Sequence, residues 1–250
     1  MSEQDQLGVR TLKLLDAEWT VAVLRGLDAG VQRPAELERR LRHAGHSTVM
    51  RRLRRLLDSG LLSYEHQPGL PPRAHSAGIP HEAHYSLTDA GRALLGVIEE
   101  ADRWGRTWCS GEGRRDPDGT LAIKFTSDRH VRTVMLLLAD GPLDGADLEG
   151  RISGIGRSAL RRRLHEMVLA GLLEQRGRGR VRSYELTDRA RHLALLALLA
   201  ARWESRWWEP ECPALGGDLD GLLRLLAPAI GGEEALLEAV IEALSAALLA

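Results

Sequence analysis

HSTVMRRLRRLLDSGLL, residues 46–62, decides how the rest of the chain is read. Val49, Leu53, Leu56 and Leu57 fall at i, i+4, i+7 and i+8, the spacing of one apolar helix face. That spacing leaves His46, Ser47, Met50, Arg51 and Arg54 pointing away together. Gly60 closes the helix, where a left-handed residue is cheapest as glycine. RSALRRRLHEMVLAGLL, residues 157–173, has the same length, leucine spacing and ending. Its outward positions are Arg157, Ser158, Arg161, Arg162 and His165.

Working outward, the match extends over most of the chain. An offset of 111 places Gly30 on Gly141, Ala35 on Ala146, Leu37-Glu38 on Leu148-Glu149 and Arg51-Arg52-Leu53 on Arg162-Arg163-Leu164. Beyond Glu65 the offset drops to 99, and Tyr85, Thr88, Arg103, Trp104 and Trp108 meet Tyr184, Thr187, Arg202, Trp203 and Trp207. The first copy therefore carries twelve extra residues between Glu65 and Tyr85. A repeat of this size is a whole domain rather than a solenoid unit. The expected organisation is a domain at 1–109, a polar linker at 110–120, a second domain at 121–208 and a helical extension at 209–250.

Each copy reads the same way. Leu12, Leu15, Trp19, Val23 and Leu27 make one helical stripe that stops at residues 28–30. Pro34, tolerated in a first helical turn, opens a short second helix containing Leu37 and Leu41. Residues 43–45 form a tight turn, and the arginine-loaded third helix follows. Strands are expected at 61–64 and 84–87, and again at 172–175 and 181–186, where RGRGR (176–180) forms a hairpin tip. Thr88-Asp89 and Thr187-Asp188 cap final helices expected at 90–108 and 189–208. The fold class is mainly α with small β-hairpin wings: two tandem winged helix-turn-helix domains plus C-terminal helices. The third helix of such a domain is the expected major-groove reader.

Net charge is only −1, which argues against a simple polycation, but the charge is segregated. Residues 33–55 hold eight Arg against two Glu, as do residues 157–182, whereas residues 204–250 hold nine acids and two Arg. Such segregation creates local anion-binding fields in a near-neutral chain. Arginine bonds guanine O6 and N7 in bidentate fashion, and Ser or His reaches a base or phosphate. Arg178, Arg180 and Arg182 on the second hairpin extend this to a neighbouring minor groove or backbone. The plain alternative, a solvated arginine face, is common for a lone helix. The preceding turn, the basic hairpin and the repetition favour double-stranded DNA as the partner. Protein docking is the competing role for the same face.

These residues resemble the HxlR-type winged-helix transcription regulators, relatives of the MarR type. TLKLLDAEWTVAVLRGL resembles the family's opening helix, with its Trp-Thr at Trp19-Thr20. RPAELERRL resembles its Arg-Phe-x-Glu-Leu stretch, RRLRRLLDSGLL its reader-helix ending, and Pro71-Pro72-Arg73 its wing tip. HYSLTDAGRALLGVIEEADRWGRTW resembles its wing exit and last helix. Residues 11–108 carry the likeness well; residues 123–208 carry it more weakly, with His130 where the first copy has Trp19. The resemblance implies a sequence-specific DNA-binding regulator, a repressor, whose first and last helices make a dimer interface. In a duplicated chain it implies an internal pseudo-dimer and an operator with two unequal half-sites about one or two helical turns apart. It also adds Arg73 to the DNA-binding set. The family often places a sensing Cys near the first helix, and this chain has none there.

Other features are read more plainly. Trp19, Trp104, Trp108, Trp203 and Trp207 suit packing between the copies; the sharper reading is an aromatic pocket for a planar small-molecule effector. His66, His75, His81 and His84 in the long first wing read as a polar loop rather than a metal site, because no Cys or carboxylate cluster accompanies them. Cys109 and Cys212 read as separate thiols of a reducing compartment. Apolar stripes in 222–226 and 236–248 need a buried face, within the chain or in a homodimer. No leader pattern or bilayer-length apolar run occurs, so the expectation is a cytoplasmic protein without membrane attachment. No catalytic triad, phosphate loop or carboxylate pair suggests an enzyme, a cofactor or a metal.

Overall fold

The computed structural model describes residues 8–65, 83–109, 119–177, 182–208, 222 and 224–226. The first set of elements is α1 (Val9–Asp16), α2 (Thr20–Asp28), α3 (Pro34–Arg40), α4 (His46–Asp58), β1 (Leu62–Glu65), β2 (His84–Leu87) and α5 (Asp89–Trp108). The second is α6 (Thr120–Ser127), α7 (Arg129–Leu137), β3 (Leu143–Asp144), α8 (Gly145–Arg151), α9 (Arg157–Leu169), β4 (Leu173–Arg176), β5 (Ser183–Leu186), α10 (Asp188–Arg191) and α11 (Leu193–Trp207).

The opening stripe is two helices rather than the one expected. The chain turns at Ala17–Trp19, and Trp19 takes a left-handed conformation (φ 68°). For a residue with a β-carbon that conformation costs about 1–3 kcal/mol. In the second set the break falls at Asp128, whose carboxylate accepts the His130 and Val131 backbone N–H at 2.9 and 3.2 Å. One turn is thus made by a strained tryptophan and the other by an N-cap. The last helix of the second set is likewise divided. At His192 the Leu195 N–H bonds back to the His192 carbonyl, a three-residue step that separates α10 from α11.

β1 and β2 pair antiparallel, with Leu62 opposite Leu87 and Tyr64 opposite Tyr85. The second sheet gains a third strand, in the order β3-β5-β4. Leu143 lies opposite Tyr184 there, and in the first set one hydrogen bond stands at that place, from Tyr85 N–H to the Gln32 carbonyl at 2.9 Å. Two residues are too few to show an alternating pattern, so β3 had no sequence signal.

By contacts, Leu14–Glu99 forms one compact unit, and Met1–Lys13 with Glu100–Ala250 forms the other. In the first, Leu24, Leu37, Leu53, Leu56, Leu61, Tyr85 and Leu94 are fully buried. In the second, α11 is buried on nearly all sides from Leu193 to Trp203, which makes it a central helix rather than a surface one. The start of α1 and the end of α5 belong to this second unit. Gly8 lies against the Ala197 carbonyl and Ala201 nitrogen, where a β-carbon would come within 2.9 Å. The Thr11 backbone N–H and hydroxyl both donate to Glu204 Oε2, at 3.1 and 3.0 Å. The Trp104 indole N–H donates to the Arg189 carbonyl at 2.9 Å.

Residues 110–118 of the expected linker lie outside the described residues, as does the extension 209–250 apart from four positions. Of these, Leu222, Leu225 and Leu226 are buried and Arg224 pairs with Asp140 at 3.1 Å. No helix among the described residues is long and apolar enough to cross a membrane.

Candidate nucleic-acid interface

α4 begins at Gly45, an extended N-cap (φ −68°, ψ 157°) that follows the expected turn. Val49, Leu53 and Leu56 are fully buried beneath it. Each contributes about 1.5–3 kcal/mol relative to an exposed side chain, which fixes the rotation of the helix. His46, Ser47, Arg51 and Arg54 are exposed as expected. Met50 is not: it is 9% exposed and belongs to the core. Three residues of helix turn about 300°, so Met50 stands only about 60° from Leu53 on the helical wheel. An apolar side chain at that edge of the stripe turns inward. Arg51 has no carboxylate within ion-pair distance among the described residues, and Arg54 lies 3.9 Å from the Asp58 carboxylate. Arg52 is half-buried, and burial, then the neighbouring Arg55 and Arg51 charges, pull its guanidinium below its ordinary value.

α9 begins in the same way at Gly156 (φ −73°, ψ 150°). Leu160, Leu164 and Met167 are buried, and Arg157, Ser158, Arg161, Arg162 and His165 are all exposed. Glu149 on α8 holds two of these arginines, Arg157 Nε at 3.3 Å and Arg161 Nε at 3.0 Å. At the equivalent place in the first set, Glu38 on α3 contacts His46 Nδ1. These two glutamates belong to the face and were not among the sequence candidates. The aligned pairs Leu37-Glu38 and Leu148-Glu149 were the available signal. Arg163 serves the scaffold instead, bridging Asp128 and Glu166 at 2.6 Å each.

α4 and α9 are each joined to a hairpin by one repeated device. The Thr88 hydroxyl donates to the Gly60 carbonyl at 2.8 Å, and the Thr187 hydroxyl to the Gly171 carbonyl at 2.7 Å. The same hydroxyl oxygens accept from Gly91 and Ala190 N–H, capping α5 and α10. Gly60 and Gly171 have φ of 71° and 72°, so glycine is required at both helix ends. Arg182 is exposed beside β5, and Arg176 on β4 is paired with Glu185 at 2.9 Å. Arg73, Arg178 and Arg180 lie outside the described residues, as do His66, His75 and His81. His84 accepts from Arg33 Nε at 3.1 Å, and no group of metal-ligating side chains occurs among the described residues.

Trp19 is half-buried in the unit Leu14–Glu99. In the other unit Trp104 is buried beneath the Arg189 guanidinium, 4.9 Å from its ring centre. Trp203 is buried edge-on to Trp208, and Trp207 carries Arg206 over its face. Trp108 packs against His192 with ring centres 5.3 Å apart and lines a cavity of about 410 Å³, shared with Glu174, Glu185, Asp188 and Arg176. Cys109 is buried with its sulfur 2.9 Å from Arg189 Nη2; Cys212 lies outside the described residues.

Residues 14–112 match the HxlR-like helix-turn-helix family. The chain is 32% identical over 99 residues to an uncharacterised HTH-type transcriptional regulator of Synechocystis sp., covering 40% of this chain and 67% of that protein. It is 29% identical over 96 residues to one of Methanothermobacter thermautotrophicus, covering 38% and 66%. It is 27% identical over 99 residues to the regulator YvaP of Bacillus subtilis, covering 40% and 83%.

Proposed function

This chain belongs to the HxlR-like helix-turn-helix family, and on that premise we propose that it is a sequence-specific DNA-binding repressor with two fused winged-helix readers acting as a pseudo-dimer. The observation that carries this is the pair α4 and α9. Each starts at an extended glycine, buries its leucines and turns arginines outward, and each is tied to an antiparallel hairpin by the same threonine. Arg51, Arg54, Arg157, Arg161 and Arg162 supply the phosphate and base contacts. The two faces differ, with His46 and Arg51 on one and Arg157, Arg161 and His165 on the other, so the half-sites are unequal.

The pseudo-dimer is supported by the second unit. Thr11 on Glu204 and Trp104 on Arg189 bring the ends of the first copy against helices of the second, the contacts a fused dimer requires. Repression is the outcome expected of a protein that covers an operator and sterically excludes polymerase. The cavity beside Trp108 is the place for a small-molecule effector.

A footprint on the fragment upstream of the chain's own gene tests this. Two adjacent protected segments of different sequence are expected. A stably copurifying protein partner with no footprint would replace this function with a protein-interaction module.

A further inference from the structure

Resting on the reading of α4 and α9 as DNA readers, we infer that Glu149, with Glu38 at the equivalent position, is a specificity-determining positioning residue that decides which donor atoms each reader presents. Glu149 sits on α8 with its side chain 17% exposed, while Arg157 and Arg161 on α9 are 81% and 72% exposed. One carboxylate oxygen takes each arginine: Oε2 faces Arg157 Nε at 3.3 Å, and Oε1 accepts from Arg161 Nε at 3.0 Å.

A guanidinium has five N–H donors in one plane. Fixing Nε against Glu149 sets that plane and leaves the two Nη groups as the outward edge. That edge matches the O6 and N7 of guanine, or two oxygens of a phosphate, in bidentate geometry. The carboxylate also cancels one of the two positive charges. It thereby weakens the sequence-independent attraction to phosphate that both arginines would otherwise add. Glu149 therefore exchanges general DNA affinity for base discrimination. Glu38 does the corresponding thing to a different donor. That donor is the His46 imidazole, held at Nδ1. The two readers share a positioning carboxylate and differ in what it positions.

The test uses the full chain and its Glu149→Gln and Glu149→Ala variants, with a randomised duplex library as the probe. Binding is then measured on the selected duplex and on a scrambled duplex of equal length. Wild type should enrich a sequence containing guanine in one half-site. Glu149→Ala should lose about ten-fold in the ratio of selected to scrambled affinity, the size of one bidentate base contact. Its salt dependence should steepen by up to about 0.9 in log–log slope, because one more cation is released to phosphate. Glu149→Gln keeps the size and an oxygen acceptor, guards against a folding defect, and should show the same steepening. Variants with unchanged ratio, guanine preference and salt slope overturn the inference while DNA reading stands. A wild-type chain that enriches no sequence overturns the DNA reading itself, and this inference with it.

Discussion

Met50 gives the sharpest test of which way α4 faces. Its neighbour Arg51 is exposed, whereas Met50 is 9% exposed and buried like Val49, Leu53 and Leu56. Met50→Ala removes three buried heavy atoms. At about 0.8 kcal/mol per buried methylene-sized group, the lost transfer energy is about 2.4 kcal/mol. The space left adds a cavity penalty, so the total should fall at about 2.5–4 kcal/mol, within the usual range for Met→Ala in cores. Arg51→Ala should cost less than about 0.5 kcal/mol, as exposed substitutions do. Urea unfolding of the full chain, followed by helical circular dichroism, measures both. A Met50→Ala variant as mild as Arg51→Ala that has lost DNA binding would mean that Met50 reads DNA and that the helix is rotated.

Two further outcomes are expected. Gly91→Ala would put a β-carbon 2.3 Å from the Leu61 carbonyl oxygen, which already accepts the Thr88 N–H at 3.0 Å. Overpacking there should lower stability by about 1–3 kcal/mol, and a gain in thermal stability from the better helix former would refute it. Tyr85 is buried, and burial, then Tyr64, pushes its hydroxyl up to about 12. An unfolded tyrosine ionises near about 10, so above that pH the unfolded chain loses a proton that the folded chain keeps. Tyr85 should therefore leave stability unaffected below about pH 10 and erode it from there towards about pH 12. Tyr85→Phe should remove that slope in unfolding measured across the window.

Much of this was legible because it rested on period and punctuation. The leucines of 46–62, Pro34 at the start of α3, and Gly60 and Gly171 at φ near 71° are local signals, and the elements follow them. The break between α1 and α2 was not legible. The stripe Leu12–Leu15–Trp19–Val23 keeps its helical spacing through a residue that leaves the helix, and Trp carries no turn signal. In the second set Asp128 was a readable N-cap, and it marks the same place. Met50 was misplaced because a wheel assigns an edge position to neither face, and burial decides it. Glu38 and Glu149 were visible as an aligned pair, but their meaning depends on α3 and α8 bringing them to His46 and to Arg157. That is a distance across elements, and no spacing along the chain encodes it.

The most direct measurement is the salt dependence of binding to one operator fragment, for the full chain and for Arg51→Ala with Arg162→Ala. Both arginines are exposed, one on α4 and one on α9. If each neutralises a phosphate, the double variant should lose about 1.8 from the slope of log affinity against log salt, twice the roughly 0.9 expected per contact. Single variants should lose about half of that each. Equal slopes for all four proteins would contradict two DNA-reading helices in one chain.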